Sequence, residues 1–192
     1  MACIALTKGR GLDCNRSSGG VKYIYFAVFD QVISTTLSAV AGIREIIDID
    51  MGADSLYRYT VPRGSTTINE SITGNTENGT IFYTPTVSMV LNRLTKEDQN
   101  EIKLLGQTQV MIFAQLNEQL TNGHDVIVAL GVSNAMSMNA GTADSGAAFG
   151  DRNGYTLNFD GLEADPFPMV MDYTATPFDI LDLGAQIPII VS

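Results

Sequence analysis

The chain has 192 residues and a formal net charge of −10, with 45% of its residues hydrophobic and only 17% charged. This length predicts one domain, and the hydrophobic fraction argues against a disordered chain. The acidic balance argues against a basic domain that neutralises nucleic-acid phosphates, and no stretch approaches the ~18 apolar residues of a membrane-spanning helix. So few charges predict that other copies or partners cover part of the surface.

The two cysteines, Cys3 and Cys14, lie in the first residues of the chain. The apolar stretch at residues 2–6 is too short for the hydrophobic region of a signal peptide and follows no basic segment. We therefore expect folding in a cytosol, where a disulfide is disfavoured and the two thiols stay reduced. Two cysteines and one histidine cannot complete a zinc site.

Period-two alternation of apolar and polar residues predicts that most of the chain forms β-strands. Residues 21–29 are apolar almost throughout, which is typical of a central strand, and residues 42–51 and 56–61 follow as further strands. The longest candidate is 80–92, with mostly apolar odd positions and mostly hydroxylated even positions. Pro85 interrupts it and predicts an edge or a bulge, because proline donates no hydrogen bond. Later strands are predicted at residues 108–116, 125–132 and 155–160.

One short helix is predicted between the strands. Thr95 suits its N-cap, and Gly106 can close its C-terminal end. Residues 139–150 are small or polar apart from Phe149, so we predict a long loop there that is either mobile or ordered by a partner. These elements together predict an all-β class, an antiparallel sandwich or barrel with one short helix.

The acidic residues and the histidine form no recognisable active site. The acids of residues 48–54 are spaced like part of a calcium loop, but the fifth position is Gly52 and the flanks are predicted strands, so we expect no metal. His124, the only histidine, lies in a predicted turn with no nucleophile motif beside it. We therefore predict no enzymatic activity and no cofactor.

Residues 141–163, GTADSGAAFGDRNGYTLNFDGLE, carry a family resemblance. A loop of small residues followed by the pattern G-D-x-N-G-Y-x-L-x-F-x-G-x-E resembles the tail-tube proteins of tailed bacteriophages. The opening G-L-D-C at residues 11–14, the G-G-V-K at residues 19–22, and the helix followed by an apolar strand are similar to the same family. The family's fold is a sandwich of two antiparallel sheets with one flanking helix, in agreement with the alternation pattern.

The resemblance implies a virion structural protein whose rings, typically of six copies, stack into a tube through which DNA passes. The implied partners are further copies of the chain, other tail proteins (tape measure, terminator, baseplate or hub) and, transiently, DNA. Assembly would take place in the cytoplasm of a host bacterium, and the protein would reside in the virion tail. The alternatives are another virion part, such as a head-to-tail connector or decoration protein, and a β-sandwich module that binds a surface.

DNA passing down a tube must not adhere to its wall, and acidic or hydroxylated side chains leave phosphate unneutralised. We therefore predict that Glu45, Asp48 and Asp50 face the lumen, together with the Thr/Ser face of residues 80–92. The alternative is that these acids lie on the outer surface and contribute only solubility.

Three segments of a single domain covering residues 1–192 are predicted to reach neighbouring rings. Residues 54–73 would form a projecting β-ribbon with its tip at residues 62–65, and residues 1–20 and 185–192 would form terminal arms. Aromatic side chains are enriched at interface cores, and an apolar terminal segment is unusual when exposed. The predicted inter-ring contacts are Tyr57, Tyr59, Arg63, Ile189 and Ile190.

Overall fold

The computed structural model describes residues 9–11 and 17–191. Cys3 and Cys14 lie outside these residues, as does most of the predicted N-terminal arm. The described residues form two β-sheets and one short α-helix, which confirms the predicted all-β class. The helix is α1, Lys96–Leu105, and the strands are β1 Val21–Val28, β2 Ser34–Leu37, β3 Glu45–Asp50, β4 Leu56–Thr60, β5 Thr67–Asn75, β6 Thr80–Asn92, β7 Val110–Gln119, β8 Asp125–Leu130, β9 Ser137–Asp144, β10 Gly154–Asp160, β11 Met169–Val170 and β12 Ile189–Val191.

The larger sheet has eight strands in the order β12-β4-β1-β7-β8-β11-β3-β2, and the smaller sheet has four in the order β5-β6-β10-β9. Most neighbours are antiparallel, as predicted, but β11 runs parallel to β3 and β12 runs parallel to β4. Both exceptions are short strands from the last part of the chain, which add to strands from its first part. β1 lies between β4 and β7, which confirms its predicted central position.

The first hydrophobic core lies between the two sheets and is called the sandwich core here. Phe26 of β1 and Ile112 of β7 point into it from the larger sheet, and Met89 and Phe159 point into it from the smaller one. The rings of Phe26 and Phe159 lie 5.2 Å apart between centroids. The alternating strands place these residues on one face of each sheet, so burial of that face drives the packing of one sheet on the other.

The second hydrophobic core lies on the opposite face of the larger sheet, under residues 171–187, which we call the strap. Phe178 of the strap is buried against Tyr25 and Phe113, with ring centroids 4.9 Å and 5.3 Å away. Leu181 and Ile187 complete this strap core. The strap explains why β1 has an almost continuous apolar sequence: both of its faces are covered.

Hydrogen bonds to an aspartate hold the irregular strap in shape. Asp179 accepts bonds from the hydroxyl of Thr174 at 2.5 Å and from the backbone N–H groups of Thr174, Ala175 and Thr176. The Thr174 hydroxyl and these N–H groups hold the pKa of Asp179 far below its ordinary range. The carboxylate therefore adds to the few backbone bonds of the strap, such as those from the N–H of Ile49 to Leu181 and from the N–H of Ile187 to Phe178.

The predicted projecting ribbon at residues 54–73 does not form. β4 pairs with β1 in the larger sheet, whereas β5 pairs with β6 in the smaller sheet. Residues 61–66 therefore carry the chain from one sheet to the other instead of forming a ribbon tip. The two strands alternate as strands do, but alternation does not specify which strand each will pair with.

The helix is confirmed, with one difference at its C-terminal end. The Thr95 hydroxyl accepts a hydrogen bond from the N–H of Asp98 at 3.0 Å, as expected of an N-cap. Gly106 follows the last turn in a right-handed conformation, with φ −70° and ψ −13°. It therefore does not adopt the left-handed conformation for which glycine is favoured at a helix end. A short helix of this kind depends on packing, and Ile102 and Leu105 pack against the sandwich core.

Two smaller expectations are corrected in the smaller sheet. Residues 139–144 belong to β9, so the predicted loop at 139–150 is reduced to residues 145–153. The side chains of residues 139–144 are small or polar and exposed, but the backbone of β9 pairs with β10. Pro85 lies in β6, which is an inner strand and not an edge. Proline is tolerated here because Pro85 lies just beyond the last residue pair of β6 with β10. Its carbonyl oxygen still accepts a hydrogen bond from the N–H of Gly161.

Candidate assembly surfaces

The outer face of the smaller sheet is covered by hydroxyl and amide side chains. Directly opposed residues of antiparallel strands lie on the same face, and the register places the even positions of β6 beside the odd positions of β5 and the even positions of β10 and β9. This surface, called the hydroxyl face, consists of Thr67, Asn69, Ser71, Thr73, Thr84, Thr86, Ser88, Asn92, Thr142, Thr156 and Asn158, with Phe82, Val90 and Ala140 between them.

Few charged groups lie on or beside the hydroxyl face as the structure describes it. Asp160 and Asp144 are at opposite ends of the β9–β10 pair, and Asp160 accepts a bond from Asn139 at 2.6 Å. Arg152 reaches the face from the adjoining loop and donates to the hydroxyl of Thr156 at 2.7 Å. Asp160 lies directly opposite Thr86, near the middle of β6, so the face is mostly uncharged but carries one acid close to its centre.

Both outer strands of the smaller sheet, β5 and β9, have one edge that pairs with no other described strand. The odd-numbered residues of β6 direct their backbone N–H and C=O groups towards β10 and the residues that follow it, as Tyr83 does in its two bonds with Glu163. The odd-numbered residues of β10 therefore face β6, and its even-numbered residues direct their backbone groups towards β9, where Thr156 lies opposite Thr142. Because backbone groups alternate along a strand, Ala143 directs its N–H at the free edge. Such edges invite pairing with another strand.

The element that projects is the distal part of the β5–β6 hairpin, residues 71–84, which we call the hairpin arm. Ile72 and Ile81 lie on the side of the hairpin that continues the core face, yet they are 64% and 59% exposed. Phe82 is exposed on the other side. An apolar surface of this kind on an extension marks a contact site for another molecule.

The three acids predicted to face a lumen lie on β3 in the larger sheet, so the structure does not bring them together with the hydroxyl face of β6. Asp48 accepts a hydrogen bond from the N–H of Leu183 in the strap at 2.8 Å. Asp50 accepts one from Gly52 at 3.0 Å in a local turn. Glu45 begins the strand and is half-buried. Two of these acids thus stabilise neighbouring backbone, and an Asp two residues before a Gly is a sequence signal for such a turn.

Four of the five predicted inter-ring residues lie together at the edge formed by β12 and β4. Ile189 pairs with Leu56, and Ile190 pairs with Tyr57. Tyr57 and Ile190 are 39% and 48% exposed, whereas Tyr59 packs edge-on against Phe26 in the sandwich core. Arg63 lies apart, on the exposed connection between the two sheets. Whether these residues contact another ring stays a prediction.

A pocket of about 210 Å³ opens between α1 and β4, and we call it the α1–β4 pocket. Its floor is apolar and aromatic, and Glu101 lies at its rim. Burial, together with the nearby carboxylates of Glu101 and Asp98, raises the pKa of Tyr59 to about 12. The lining residues are Phe26, Val28, Tyr57, Tyr59, Glu101, Leu104, Leu105, Thr108 and Val110.

Phe149 lies in the loop that joins β9 to β10 and is fully exposed. The loop is nevertheless held by Asp151, which accepts hydrogen bonds from the N–H groups of Ala147 at 3.0 Å and Ala148 at 2.6 Å. These N–H groups lower the pKa of Asp151. An ordered loop therefore exposes an aromatic ring to solvent, although the sequence shows Phe149 only as the one bulky residue among small and polar ones.

The remaining polar clusters serve the fold. His124 lies 2.8 Å from Asp172 through its Nδ1 atom and stacks on Tyr173 at 4.4 Å, with no serine or cysteine among its hydrogen-bond partners in the described chain. Glu163 is buried and accepts bonds from the N–H groups of Ser133 and Asn134. Within residues 9–11 and 17–191, no group of three or more His, Cys, Asp or Glu side chains is arranged to hold a metal ion.

Comparison with known proteins identifies no relative: no protein-family model, curated protein or solved structure matches the chain. Among the described residues, no helix combines the length and the apolar composition needed to cross a membrane. Function must therefore be inferred from the surfaces themselves, namely the hydroxyl face, the two free edges, the hairpin arm, the α1–β4 pocket and Phe149.

Proposed function

We propose that this chain is a structural subunit that assembles into stacked rings and forms a tube through which DNA passes, as in a bacteriophage tail. One observation carries the proposal: the hydroxyl face is broad and mostly uncharged, and each outer strand of its sheet has an edge that no other described strand pairs with. A sheet of this kind can continue into the next copy on either side without altering its exposed face.

The two free edges differ, since one belongs to β5 and the other to β9. Pairing of β9 of one copy with β5 of the next is a heterologous contact, which closes into a ring when the rotation per copy allows it. Closure would remove both edges, which are otherwise sites of uncontrolled association. The hairpin arm, with Ile72 and Ile81, extends beyond this sheet and is suited to reach a stacked ring.

A closed ring of this type has the smaller sheet on one surface and the larger sheet on the other. We place the hydroxyl face inside, because uncharged hydroxyls and amides neutralise no phosphates and so do not retain DNA. This placement puts Glu45, Asp48 and Asp50 in the outer layer, with the strap. These three acids would then lie on the outer surface of the tube and not in its lumen.

The proposal is tested by comparing the wild type with Ala143→Pro and Ala143→Ser. Ala143 directs its N–H outward from β9, so a proline there removes the free-edge donor while leaving the bonds to β10 in place. Serine at the same exposed position keeps the donor and serves as the matched control. Sedimentation velocity and negative-stain electron microscopy over a range of concentrations give the assembly state of each.

We expect hollow tubes or stacked rings from the wild type and Ala143→Ser, and monomers from Ala143→Pro with an unchanged circular dichroism spectrum. Single rings that never stack would instead support a connector. A wild-type monomer at all concentrations would contradict self-assembly and favour a β-sandwich binding module. Tubes from Ala143→Pro would contradict edge pairing through β9.

A further inference from the structure

We propose that Asn78 is a site of spontaneous covalent modification, at which the backbone nitrogen of Gly79 attacks the side-chain amide and ammonia is lost. The site lies in the turn that joins β5 to β6, at the tip of the hairpin arm. Asparagine is a thermolabile residue, and the reaction is fastest when glycine follows it, because no side chain then restricts the approach of the backbone. The reaction is a property of one turn and does not depend on assembly into a tube.

The dipeptide Asn-Gly occurs three times in the chain, at residues 78–79, 122–123 and 153–154. The sequence alone makes the three sites equivalent, since each asparagine directly precedes a glycine. The reaction needs an amide side chain that is free to turn towards the next residue, and it needs a backbone N–H that is not engaged elsewhere. The structure meets these two conditions at one of the three sites.

Both groups are free at residues 78–79, which are exposed. In the part of the chain that the structure describes, neither the Asn78 side chain nor the Gly79 N–H has a hydrogen-bond partner. The side-chain oxygen of Asn75 instead accepts the N–H groups of Glu77 at 2.9 Å and Asn78 at 3.1 Å. Gly79 has φ +63°, and a β-carbon there would meet nothing within 4 Å. The turn therefore has space for the ring that the reaction forms.

The β7–β8 turn, although exposed, holds Asn122 at both ends of its amide. The side-chain nitrogen donates to Asp172 of the strap, and the side-chain oxygen accepts the N–H of His124 at 3.0 Å. The Gly123 N–H donates to the carbonyl oxygen of Leu120 at 2.9 Å. The attacking nitrogen and the amide that it would attack are therefore both engaged.

Asn153 is held by the residues that precede α1. Its side-chain oxygen accepts the N–H of Leu94 at 3.1 Å, and its carbonyl oxygen accepts the N–H of Arg93 at 2.6 Å. Gly154 is buried in the smaller sheet, where a β-carbon would lie 2.0 Å from the carbonyl oxygen of Leu91. The Gly154 nitrogen therefore has no space to move towards the amide.

The reaction consumes one water molecule and releases one ammonia molecule. The Gly79 nitrogen loses its proton to solvent and bonds to the side-chain carbonyl carbon of Asn78. The side-chain nitrogen takes up a proton and leaves as ammonia, and a cyclic imide remains. Water then opens the ring at either of its carbonyl groups and gives aspartate or isoaspartate, in which the backbone runs through the β-carbon. The step involves no oxidation or reduction.

Modification would change the surface of the hairpin arm. A carboxylate would be added beside Glu77, and isoaspartate would lengthen the backbone of the turn. Ile81, three residues after Asn78, is exposed on the arm. The new charge would therefore lie close to apolar surface, and burial of an unpaired charge is costly. We expect an apolar contact made by this end of the arm to weaken as the protein ages.

The test follows all three sites in one sample of the full chain. Folded protein is incubated in warm, mildly alkaline buffer and then digested under mildly acidic conditions that stop the reaction. Tandem mass spectrometry with electron-transfer fragmentation locates each product and separates aspartate from isoaspartate. The matched control is the same chain unfolded in urea, where the three dipeptides are equally free. We expect Asn78 to react at least tenfold faster than Asn122 and Asn153 in the folded chain, and less than threefold faster in urea.

Two variants link the reaction to the charge that it adds. Asn78→Ser removes the amide, and Asn78→Asp carries the added charge from the start. Serine and aspartate are both common in turns, and circular dichroism checks that each variant is folded. On anion-exchange chromatography, we expect aged wild type to develop a more acidic species that elutes with Asn78→Asp, and we expect Asn78→Ser to develop none at the wild-type rate.

Equal rates at the three sites of the folded chain, or a faster rate at Asn122 or Asn153, would overturn the proposed modification. An acidic species that accumulates in Asn78→Ser as fast as in the wild type would overturn it as well. Selective conversion of Asn78 would support it whether or not the chain forms tubes. Tubes formed by a chain in which Asn78 stays intact would overturn the modification and leave the proposed function standing.

Discussion

The two hydrophobic cores of this protein are built by different means. In the sandwich core two regular sheets face one another, and apolar side chains that alternate along the strands make the contact. In the strap core a regular sheet faces an irregular segment, and acidic side chains fix that segment: Asp179 within the strap and Asp48 across to Leu183. Alternation of apolar and polar residues is therefore enough to pack two sheets together, whereas an irregular segment that covers a sheet needs hydrogen bonds to side chains to hold one shape.

A chain of buried polar groups borders the strap core. The hydroxyl of Tyr25 donates to Gln115 at 2.7 Å, and Gln115 donates to Asp125 at 2.7 Å. Lys22 also donates to Asp125, at 2.7 Å, and the Asp125 N–H donates to Tyr173, which lies in the strap. Burial raises the pKa of Tyr25 to about 12. The polar chain therefore joins β1, β7 and β8, and the bond to the Tyr173 hydroxyl extends it to the strap.

The largest expected loss of stability comes from Phe26→Ala in the sandwich core. Phe26 is buried between Phe159 and Tyr59, so we expect a loss of about 4 kcal/mol in the free energy of unfolding. Urea unfolding followed by circular dichroism and by fluorescence should show one shared transition at a lower midpoint. Phe26→Leu, the control, should cost about 1 kcal/mol. Two separated transitions would show that the sheets unfold independently.

Phe178→Ala tests the strap core. Its ring meets Tyr25 and Phe113, so we expect a cost of about 3 kcal/mol. Because the strap covers a sheet that the sandwich core also holds, the loss should appear first as local opening. Hydrogen exchange should accelerate in residues 171–187 while β1 and β7 keep their protection. Equal acceleration throughout would mean that the two cores open as one unit.

Asp125→Asn is expected to have the smallest effect and a distinct pH profile. Burial acts to raise the pKa of Asp125, but hydrogen bonds from Lys22, Gln115 and Gln119 outweigh it and hold the pKa below its ordinary value. Loss of the carboxylate should cost about 2 kcal/mol near neutral pH. Lys22 is half-exposed and stays hydrated, which limits the loss.

The sign of the pH dependence follows from the lowered pKa. The unfolded chain has an Asp pKa of about 3.9, so the stabilisation by Asp125 is complete above that value and is lost as the pH falls through the lower folded value. The hydrogen bond to Asp125 raises the pKa of Lys22, so its share is complete below about pH 10 and is lost above it. Urea titrations should show the wild type and Asp125→Asn converging below about pH 4. A constant difference would contradict a role for the charge.

Much of the fold could be predicted from the sequence, because period-two alternation and the Thr95 cap are local signals. The alternation identified the region of β6 and the position of β10, and Thr95 marked the start of α1. Strand pairing could not be predicted in the same way. β4 and β5 follow one another closely, yet each pairs with a strand whose choice depends on non-local packing.

The candidate surfaces were predictable only in part. The hydroxylated positions of β6 were visible in the sequence, but the matching positions of β5, β9 and β10 needed the register. The acids of β3 looked alike in the sequence, whereas the structure gives Asp48 and Asp50 backbone partners. The strap has no periodic pattern. Its only local signal is the Asp179 that follows Thr174 by five residues.

The position of the strap in the chain has a consequence for biosynthesis. β1, β4 and β7 leave the ribosome before residues 171–187, and Leu56 of β4 acquires its partner Ile189 only after another 130 or so residues have been made. Pairings this distant in sequence form slowly. Ile190 of β12 also borders the groove beside the α1–β4 pocket. We therefore expect the strap core to close on each nascent chain only after residues 171–191 have been made.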